Sequence, residues 1–186
     1  MEIMDLICRV DDCEDAVRML GRNVEKYCGI HYSRFREYGS PTPTVDCYGC
    51  GSSFTVLKDS MIKRRYYCDE CRCAISDYEK NTCVLTASNM DSIRKHGISV
   101  IAFVKLAASQ DYKCALCKKS NEVSRYPNRR LCVDHDHNCC AGLTSCGKCI
   151  RGLLCNSCNM VAGIAESTPN YIEDLNEYLS KTRVFA

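Results

Sequence analysis

The sequence predicts a chain of small α+β modules, each held together by a metal ion rather than by a large hydrophobic core. The first reason is that cysteine supplies 18 of the 186 residues, a frequency typical of disulfide scaffolds or of metal-binding proteins. The second is that many of these cysteines form C-x-x-C pairs, which place two thiolates on one ion. The third is that the first residues, MEIMDLICRVDDCED, carry no secretory signal. We therefore expect a cytoplasmic zinc protein with reduced thiols.

The overall charge does not identify a partner, and the hydropathy argues against a membrane. The net charge is only +2, so no overall basic excess indicates a nucleic acid. The longest apolar stretch, residues 98–108, is interrupted by Ser99 and Lys105 and is too short to cross a bilayer. No membrane partner is expected.

The first predicted module covers residues 1–40. It contains two close pairs of candidate zinc ligands: Cys8, Cys13, Cys28 and His31. Zinc takes four soft or borderline ligands in a tetrahedron, and two such pairs supply them. The alternative is reduced, buried cysteine without a metal, which is common in proteins. Four ligands in two tight pairs favour zinc.

The second predicted module covers residues 44–84, behind a linker at residues 40–43 in which two prolines oppose a helix. Its four candidate zinc ligands form two C-x-x-C pairs: Cys47, Cys50, Cys68 and Cys71. The β-prone residues between the pairs are typical of a zinc ribbon, although Cys73 could replace Cys71. Neither of these two modules can bury much apolar surface, so each is expected to need its metal to fold.

The third predicted module covers residues 88–186 and begins with helical character. Ser99 is a candidate N-cap for an amphipathic helix that reaches Gln110. Thr168 is a candidate N-cap for a C-terminal helix, with Pro169 at its first position. Between these helices lies a third set of candidate zinc ligands: Cys114, Cys117, Cys155 and Cys158.

The segment enclosed by this third set reads as strand, loop, strand and helix. Residues 130–134 and 150–154 have strand character, and Asn156 or Ser157 can cap the helix. In an extended strand His135 would point away from Asp134, so both meet one substrate only if the strand twists or ends there.

The Asp-His repeat at residues 134–137 is not needed to bind the third zinc ion if the four thiolates hold that ion. Such repeats also form zinc sites with a carboxylate ligand, or ordinary polar turns. From these residues alone, a catalytic role remains one alternative among three.

Three segments occur together and in order: CALC at 114–117, LCVDHDH at 131–137 and RGLLCNSCN at 151–159. They resemble the recombination endonuclease VII family, a phage branch of the HNH or His-Me finger nucleases, over roughly residues 95–179. Residues 8–39 are similar to a small zinc module that precedes phage HNH domains. The resemblance implies a C-terminal ββα-metal (His-Me finger) nuclease core with flanking helices, acting in the host bacterial cytoplasm.

The resemblance also implies a role for each matching residue. Asp134 and Asn159 resemble a metal-binding pair, and their oxygen atoms suit Mg²⁺ or Mn²⁺. His135 resembles the general base, and His137 would contact the scissile phosphate. The candidate substrate-binding residues are Arg151 and Arg130. Hydrolysis of DNA would leave 5′-phosphate and 3′-hydroxyl ends.

The chain departs from the family pattern between the catalytic histidine and the last zinc pair. Four cysteines lie there that the family core does not need: Cys139, Cys140, Cys146 and Cys149. They either bind a further zinc and stiffen the loop or remain reduced thiols, because adjacent cysteines are an awkward ligand pair. About three structural zinc ions are therefore expected, with a fourth depending on this loop. Some relatives also carry an acidic residue three positions after the asparagine, where this chain has Ala162.

Two other functions stay open. A non-catalytic zinc protein that binds DNA or acts as a regulator has no need of Asp134, His135 and Asn159 together. An RNA nuclease of the same fold would need all three. A homodimer and phage packaging or recombination proteins are further candidate partners, and cleavage specificity is left open.

Overall fold

The computed structural model describes residues 8–17, 19–20, 23–24, 27–57, 61–62, 65–119 and 131–181. Residues 1–69 form one compact unit and residues 70–186 form a second. The predicted division into modules at 1–40, 44–84 and 88–186 stays a prediction. Arg130 lies outside the described residues.

The first unit consists of short antiparallel hairpins and one helix. Its elements are β1 (Met19–Leu20), β2 (Asn23–Val24), α1 (Gly29–Tyr38), β3 (Thr44–Asp46), β4 (Ser53–Thr55), β5 (Met61–Ile62) and β6 (Arg65–Tyr66). Three consecutive pairs form hairpins: β1 with β2, β3 with β4 and β5 with β6. Helix α1 ends at Gly39, whose left-handed conformation (φ 72°) lets its N–H bond to the carbonyl of Phe35.

The second unit is mostly helical. Its elements are α2 (Asp69–Asn81), α3 (Ala87–Lys95), α4 (Val100–Ser109), β7 (Cys132–His135), β8 (Ile150–Leu154), α5 (Asn156–Ser167) and α6 (Tyr171–Ser180). Tyr78 of α2 is fully buried, with its ring centroid 5.2 Å from that of Phe103 on α4. The hydroxyl of Tyr78 accepts the N–H of Leu131, 3.3 Å away, so the core reaches the start of β7. The expected class of small α+β folds is confirmed.

One predicted helix start is right and two are wrong. Neither Asn156 nor Ser157 caps α5, because Asn156 is its first residue and its N-cap is Cys155. Ser99 caps α4, because its hydroxyl oxygen accepts the N–H of Ala102 at 3.1 Å. Thr168 does not cap the last helix, since its N–H still bonds to Ile164 and so closes α5. Helix α6 instead begins after Asn170, which takes a left-handed conformation that asparagine tolerates better than most residues.

The strands β7 and β8 pair in an antiparallel hairpin with one irregularity. Asp134 faces Gly152, whereas His135 faces Ile150, so Arg151 is an extra residue on β8. Such a bulge bends the strand and re-aims its side chains. The second strand matches its predicted bounds, and the first continues to His135, where it ends. None of the helices that the structure describes combines the length and apolar character needed to cross a bilayer.

Candidate active site and metal centres

Four sets of ligand atoms converge among the residues that the structure describes: the three sets predicted from spacing, and the four loop cysteines whose zinc binding the sequence left open. Within each set, all ligand atoms lie within 4.8 Å of one another: Cys8, Cys13, Cys28 and His31; Cys47, Cys50, Cys68 and Cys71; Cys114, Cys117, Cys155 and Cys158; Cys139, Cys140, Cys146 and Cys149. Cys73 is exposed and belongs to none of these sets, so it does not replace Cys71.

The distances between sulfur atoms fit zinc rather than disulfides. Cys50 and Cys68 are 3.8 Å apart, and Cys117 and Cys155 are 3.9 Å apart. A zinc tetrahedron with Zn–S bonds of about 2.3 Å has edges of about 3.8 Å. A disulfide needs about 2.05 Å, and all 18 cysteines are free thiols. The donor sets therefore fit structural zinc ions.

The two sets in the N-terminal part of the chain have the hydrogen bonds expected around bound zinc. His31 turns Nδ1 towards the sulfur atoms of Cys8 and Cys28, at 3.2 and 3.3 Å. Its Nε2 lies 3.4 Å from the carbonyl of Leu57, a bond that orients the ring of a ligating histidine. The sulfur of Cys47 accepts main-chain N–H groups from Gly49 and Cys68, both at 3.3 Å, and these bonds orient it as a ligand.

The third set ties the hairpin to the helices around it. Cys114 is fully buried after α4, Cys155 is the N-cap of α5, and Cys158 lies in the first turn of α5. Burial raises the pKa of the Cys114 thiol, but main-chain N–H groups, including that of Cys155, outweigh burial and lower this pKa to about 7. Since zinc binds the thiolate, this residue is suited to be a ligand.

A cleft of about 820 Å³ lies beside the hairpin. Its walls include all four predicted catalytic residues: Asp134, His135, His137 and Asn159. Helix α3 and the turn after it supply another wall through Asp91, Ser92, Lys95 and His96, and the loop after β7 adds Gly142 and Leu143. The bulge and the end of β7 thus place Asp134 and His135 on one cavity, although they alternate along the strand.

His135 is buried in this cleft and held by one hydrogen bond. Its side chain is almost inaccessible, and Nε2 lies 3.0 Å from the main-chain carbonyl of Cys140. A carbonyl can only accept, so Nε2 is the donor, and in the neutral ring the lone pair is on Nδ1. The ring centroids of His96 and His137 lie 5.3 and 4.6 Å from that of His135. The arrangement leaves Nδ1 as a proton acceptor.

Asp134 is paired with an arginine that also holds a second carboxylate. Arg151 donates to both oxygens of Asp134, from Nε at 2.8 Å and from Nη2 at 3.0 Å. It also donates to both oxygens of Glu166, at 3.0 and 3.2 Å. Each oxygen of Asp134 keeps a further lone pair, so the carboxylate can still bind a metal ion.

The charge of Arg151 also keeps the carboxyl group of Glu166 ionised. Its hydrogen bonds to Glu166 hold the pKa of that carboxyl below its usual range. Because this pKa is lowered in the folded protein, the ion pair contributes its full stabilisation of the folded state at pH values above the ordinary glutamate pKa. This stabilisation is lost as the pH falls through the lowered value. The network is therefore intact at neutral pH.

Arg151, predicted to bind substrate, does not line the described cleft.

Glu166 is a site residue that the sequence reasoning missed. It lies seven positions after Asn159, which is close to two helical turns, so both side chains share one face of α5. Besides holding Arg151, it places Oε2 3.3 Å from Nδ1 of His137. The seven-residue spacing from Asn159 is the signal in the sequence that indicates it.

Asp136 proves to be structural within the Asp-His repeat. Its Oδ1 accepts the N–H of Asn138 at 2.9 Å, which is the bond of an Asx turn. The carbonyl of Asp136 accepts the N–H groups of Cys139 and Cys140 in the same turn. The polar-turn reading thus holds for this residue, while Asp134, His135 and His137 face the cleft.

Comparison with known proteins agrees with this geometry. A family model described as recombination endonuclease VII matches residues 89–181, half of the chain. No curated protein and no solved structure matches the chain. The match includes the cleft residues described above and two of the four cysteine sets, and the family's description supports a nuclease role. This chain belongs to the recombination endonuclease VII family.

Proposed function

We propose that this protein is a Mg²⁺- or Mn²⁺-dependent DNA endonuclease of the HNH type, with a ββα-metal core formed by β7, β8 and α5. The observation that carries the proposal is the meeting of Asp134, His135 and Asn159 in one cleft. A carboxylate and a carboxamide are hard oxygen donors, and an imidazole with a free nitrogen is a base near neutral pH. A regulator that only binds DNA would need none of these to converge.

His135 is the proposed general base. Its Nε2–H is held by the carbonyl of Cys140, so Nδ1 is the atom that takes a proton from water. The water oxygen then attacks phosphorus, and the bond to the 3′ oxygen breaks with its electron pair on that oxygen. The 3′ oxygen takes up a proton from solvent, which leaves a 5′-phosphate and a 3′-hydroxyl. Burial of the imidazole limits competing hydrogen bonds from solvent.

Asp134 and Asn159 would hold the divalent ion. Both line the cleft, and Arg151 fixes the carboxylate of Asp134 from the opposite side. The chemistry expected of the bound ion is stabilisation of the negative charge on the leaving oxygen. Arg151 keeps one N–H on Nη1 beyond those used by its two carboxylate partners, which leaves it a single donor for a phosphate oxygen.

His137 is the proposed contact to the scissile phosphate. Its side chain is 45% exposed and lies at the cleft, with Glu166 on Nδ1. Glu166 therefore acts on the substrate only through His137 and Arg151, as a positioning residue.

Divalent ions should control cleavage of supercoiled plasmid. We expect nicking or linearisation in Mg²⁺ or Mn²⁺, no cleavage after brief EDTA treatment, and full recovery when Mg²⁺ is restored. The zinc content, measured in parallel, should not change during this treatment, since thiolate-bound zinc is held far more tightly than an oxygen-bound ion. Undiminished cleavage in EDTA would contradict the proposal. Cleavage of RNA but not DNA under the same conditions would favour the RNA nuclease.

Glu166→Gln should slow cleavage about tenfold, or about 1.4 kcal/mol. The amide keeps the shape of the side chain but loses the charge that holds Arg151 and His137. Single-turnover rates on plasmid measure the effect. Glu173→Gln on α6 is the matched control and should match the wild-type rate, because Glu173 is exposed and does not line the cleft. Equal rates for both variants would remove Glu166 from the site.

A further inference from the structure

The loop between β7 and β8 carries a set of four thiols that the family core does not require. We call Cys139, Cys140, Cys146 and Cys149 the loop cluster. Sulfur–sulfur distances within it are 3.9 Å for the adjacent pair Cys139 and Cys140, 4.0 Å from Cys139 to Cys146, and 3.9 Å from Cys146 to Cys149. These are again the edges of a zinc tetrahedron. The adjacent pair converges because the turn at Asp136 takes the N–H groups of both residues.

The loop is fastened to the helix that forms the opposite wall of the cleft. The hydroxyl of Ser145 donates to the carbonyl of His96 at 2.8 Å, and the N–H of Ser145 bonds to the carbonyl of Lys95. Gly147 passes so close to Gly97 that a side chain on Gly147 would collide with the Gly97 carbonyl. The position of the loop therefore sets the shape of the cleft.

Cys140 connects the loop cluster to His135, a residue of the cleft. Its sulfur is a member of the cluster, while its carbonyl is 3.0 Å from Nε2 of His135. We propose that the loop cluster binds a fourth zinc ion, which positions His135 through the main-chain carbonyl of Cys140. The positioning role rests on the function proposed above, whereas the zinc site stands on the cluster alone.

Apart from the turn at Asp136 and the hydrogen bonds of Ser145, the loop has few means of keeping its shape. Cys139 and Cys146 are exposed, Leu143 is 89% exposed, and no helix or strand is formed between His135 and Ile150. With little apolar burial, a metal ion is the main available source of order. Without it the carbonyl of Cys140 could shift, and a displacement of about 1 Å in a catalytic group can cost about 10²-fold in rate.

The test combines zinc counting with kinetics on the full chain. Native mass spectrometry should find four zinc ions in the wild-type protein and three in a Cys146→Ser, Cys149→Ser variant. On plasmid DNA, kcat of this variant should fall about 10- to 100-fold while KM stays within about threefold, because the substrate contacts remain. A Cys149→His single variant keeps Cys146 and replaces one thiolate by an imidazole ligand, so it should hold the fourth ion and keep most of the rate. Cys73→Ser, at an exposed cysteine outside all four sets, should keep four ions and the wild-type rate.

A second readout follows His135 without relying on cleavage. Nitrogen NMR of the imidazoles should place the proton of His135 on Nε2 in the wild-type protein, and this signature should be lost in the serine variant. Three zinc ions in the wild-type protein, or four in the variant, would reject the site, and the wild-type count needs no variant to fold. Loss of one ion with unchanged kcat and unchanged NMR signature would reject the positioning role. Failure of the wild-type protein to cleave any nucleic acid would instead reject the proposed function, leaving the zinc count and the NMR result to decide this inference.

Discussion

His135→Ala is expected to lower the rate of DNA cleavage by about 10²- to 10⁴-fold, the range associated with loss of a general base. The reason is geometric: His135 lines the cleft, and its hydrogen bond to the carbonyl of Cys140 occupies Nε2, so Nδ1 is the nitrogen that can accept a proton. Alanine also removes the ring against which His96 and His137 pack. Single-turnover cleavage of supercoiled plasmid at saturating enzyme isolates this loss from any change in binding.

The matched control for this variant lies in the same Asp-His repeat. Asp136→Asn keeps the oxygen that accepts the N–H of Asn138, so it should cleave at nearly the wild-type rate. Both variants should hold the same number of zinc ions as the wild-type protein, because neither residue belongs to a thiolate set. If His135→Ala cleaved as fast as Asp136→Asn, the general base would have to be another group.

The metal-ligand sets were predictable from the sequence because their geometry is local. A C-x-x-C pair brings two sulfur atoms onto one ion wherever its turn forms, and only the pairing between turns depends on the fold. The second and third sets followed from such pairs, and the first followed from a C-x4-C pair and a C-x2-H pair. The loop cluster remained undecided, since adjacent cysteines converge only because the turn at Asp136 takes both of their N–H groups.

The electrostatic part of the site could not be predicted in the same way. Asp134, Arg151 and Glu166 come from two strands and a helix, and their contact depends on which residue of β8 forms the bulge. Side-chain alternation along one strand does not reveal the register of a pair. His96 reaches the cleft only because α3 packs beside the loop, a tertiary contact with no local signal.

Gly152 is another residue whose role could not be predicted from the sequence alone. The sequence suggested only that a glycine eases the backbone of β8. In the structure a Cβ at this position would lie 3.2 Å from the side-chain oxygen of Gln110. That oxygen accepts the N–H of Leu153, and the amide nitrogen of Gln110 donates to the Leu153 carbonyl, so the glycine lets α4 hold the edge of β8. The requirement is a close approach between elements distant in sequence.

Replacing Cys114 and Cys158 together by serine is expected to unfold the nuclease part of the chain. These two residues supply half of the zinc set that ties α4, β8 and α5 together. Structural zinc binds with an apparent free energy of about 10–16 kcal/mol, which is of the same size as the total stability of about 5–15 kcal/mol typical of a domain. Loss of this zinc ion is therefore expected to leave the domain without enough stability to stay folded. Circular dichroism should show no cooperative thermal transition for residues 70–186, and limited proteolysis should digest this segment first.

Further variants distinguish the zinc set that holds the fold together from the loop cluster. Cys73→Ser should retain the wild-type transition, since its side chain is exposed and lies outside the four sets. Variants of the loop cluster should keep the fold and lose rate, because that cluster orders a surface loop rather than joining elements of the core. A Cys114→Ser, Cys158→Ser protein that melted cooperatively at the wild-type temperature would show that helix packing around Tyr78 and Phe103 suffices without zinc. The hairpin, and with it the spacing of Asp134, His135 and Asn159, would then depend on apolar burial alone.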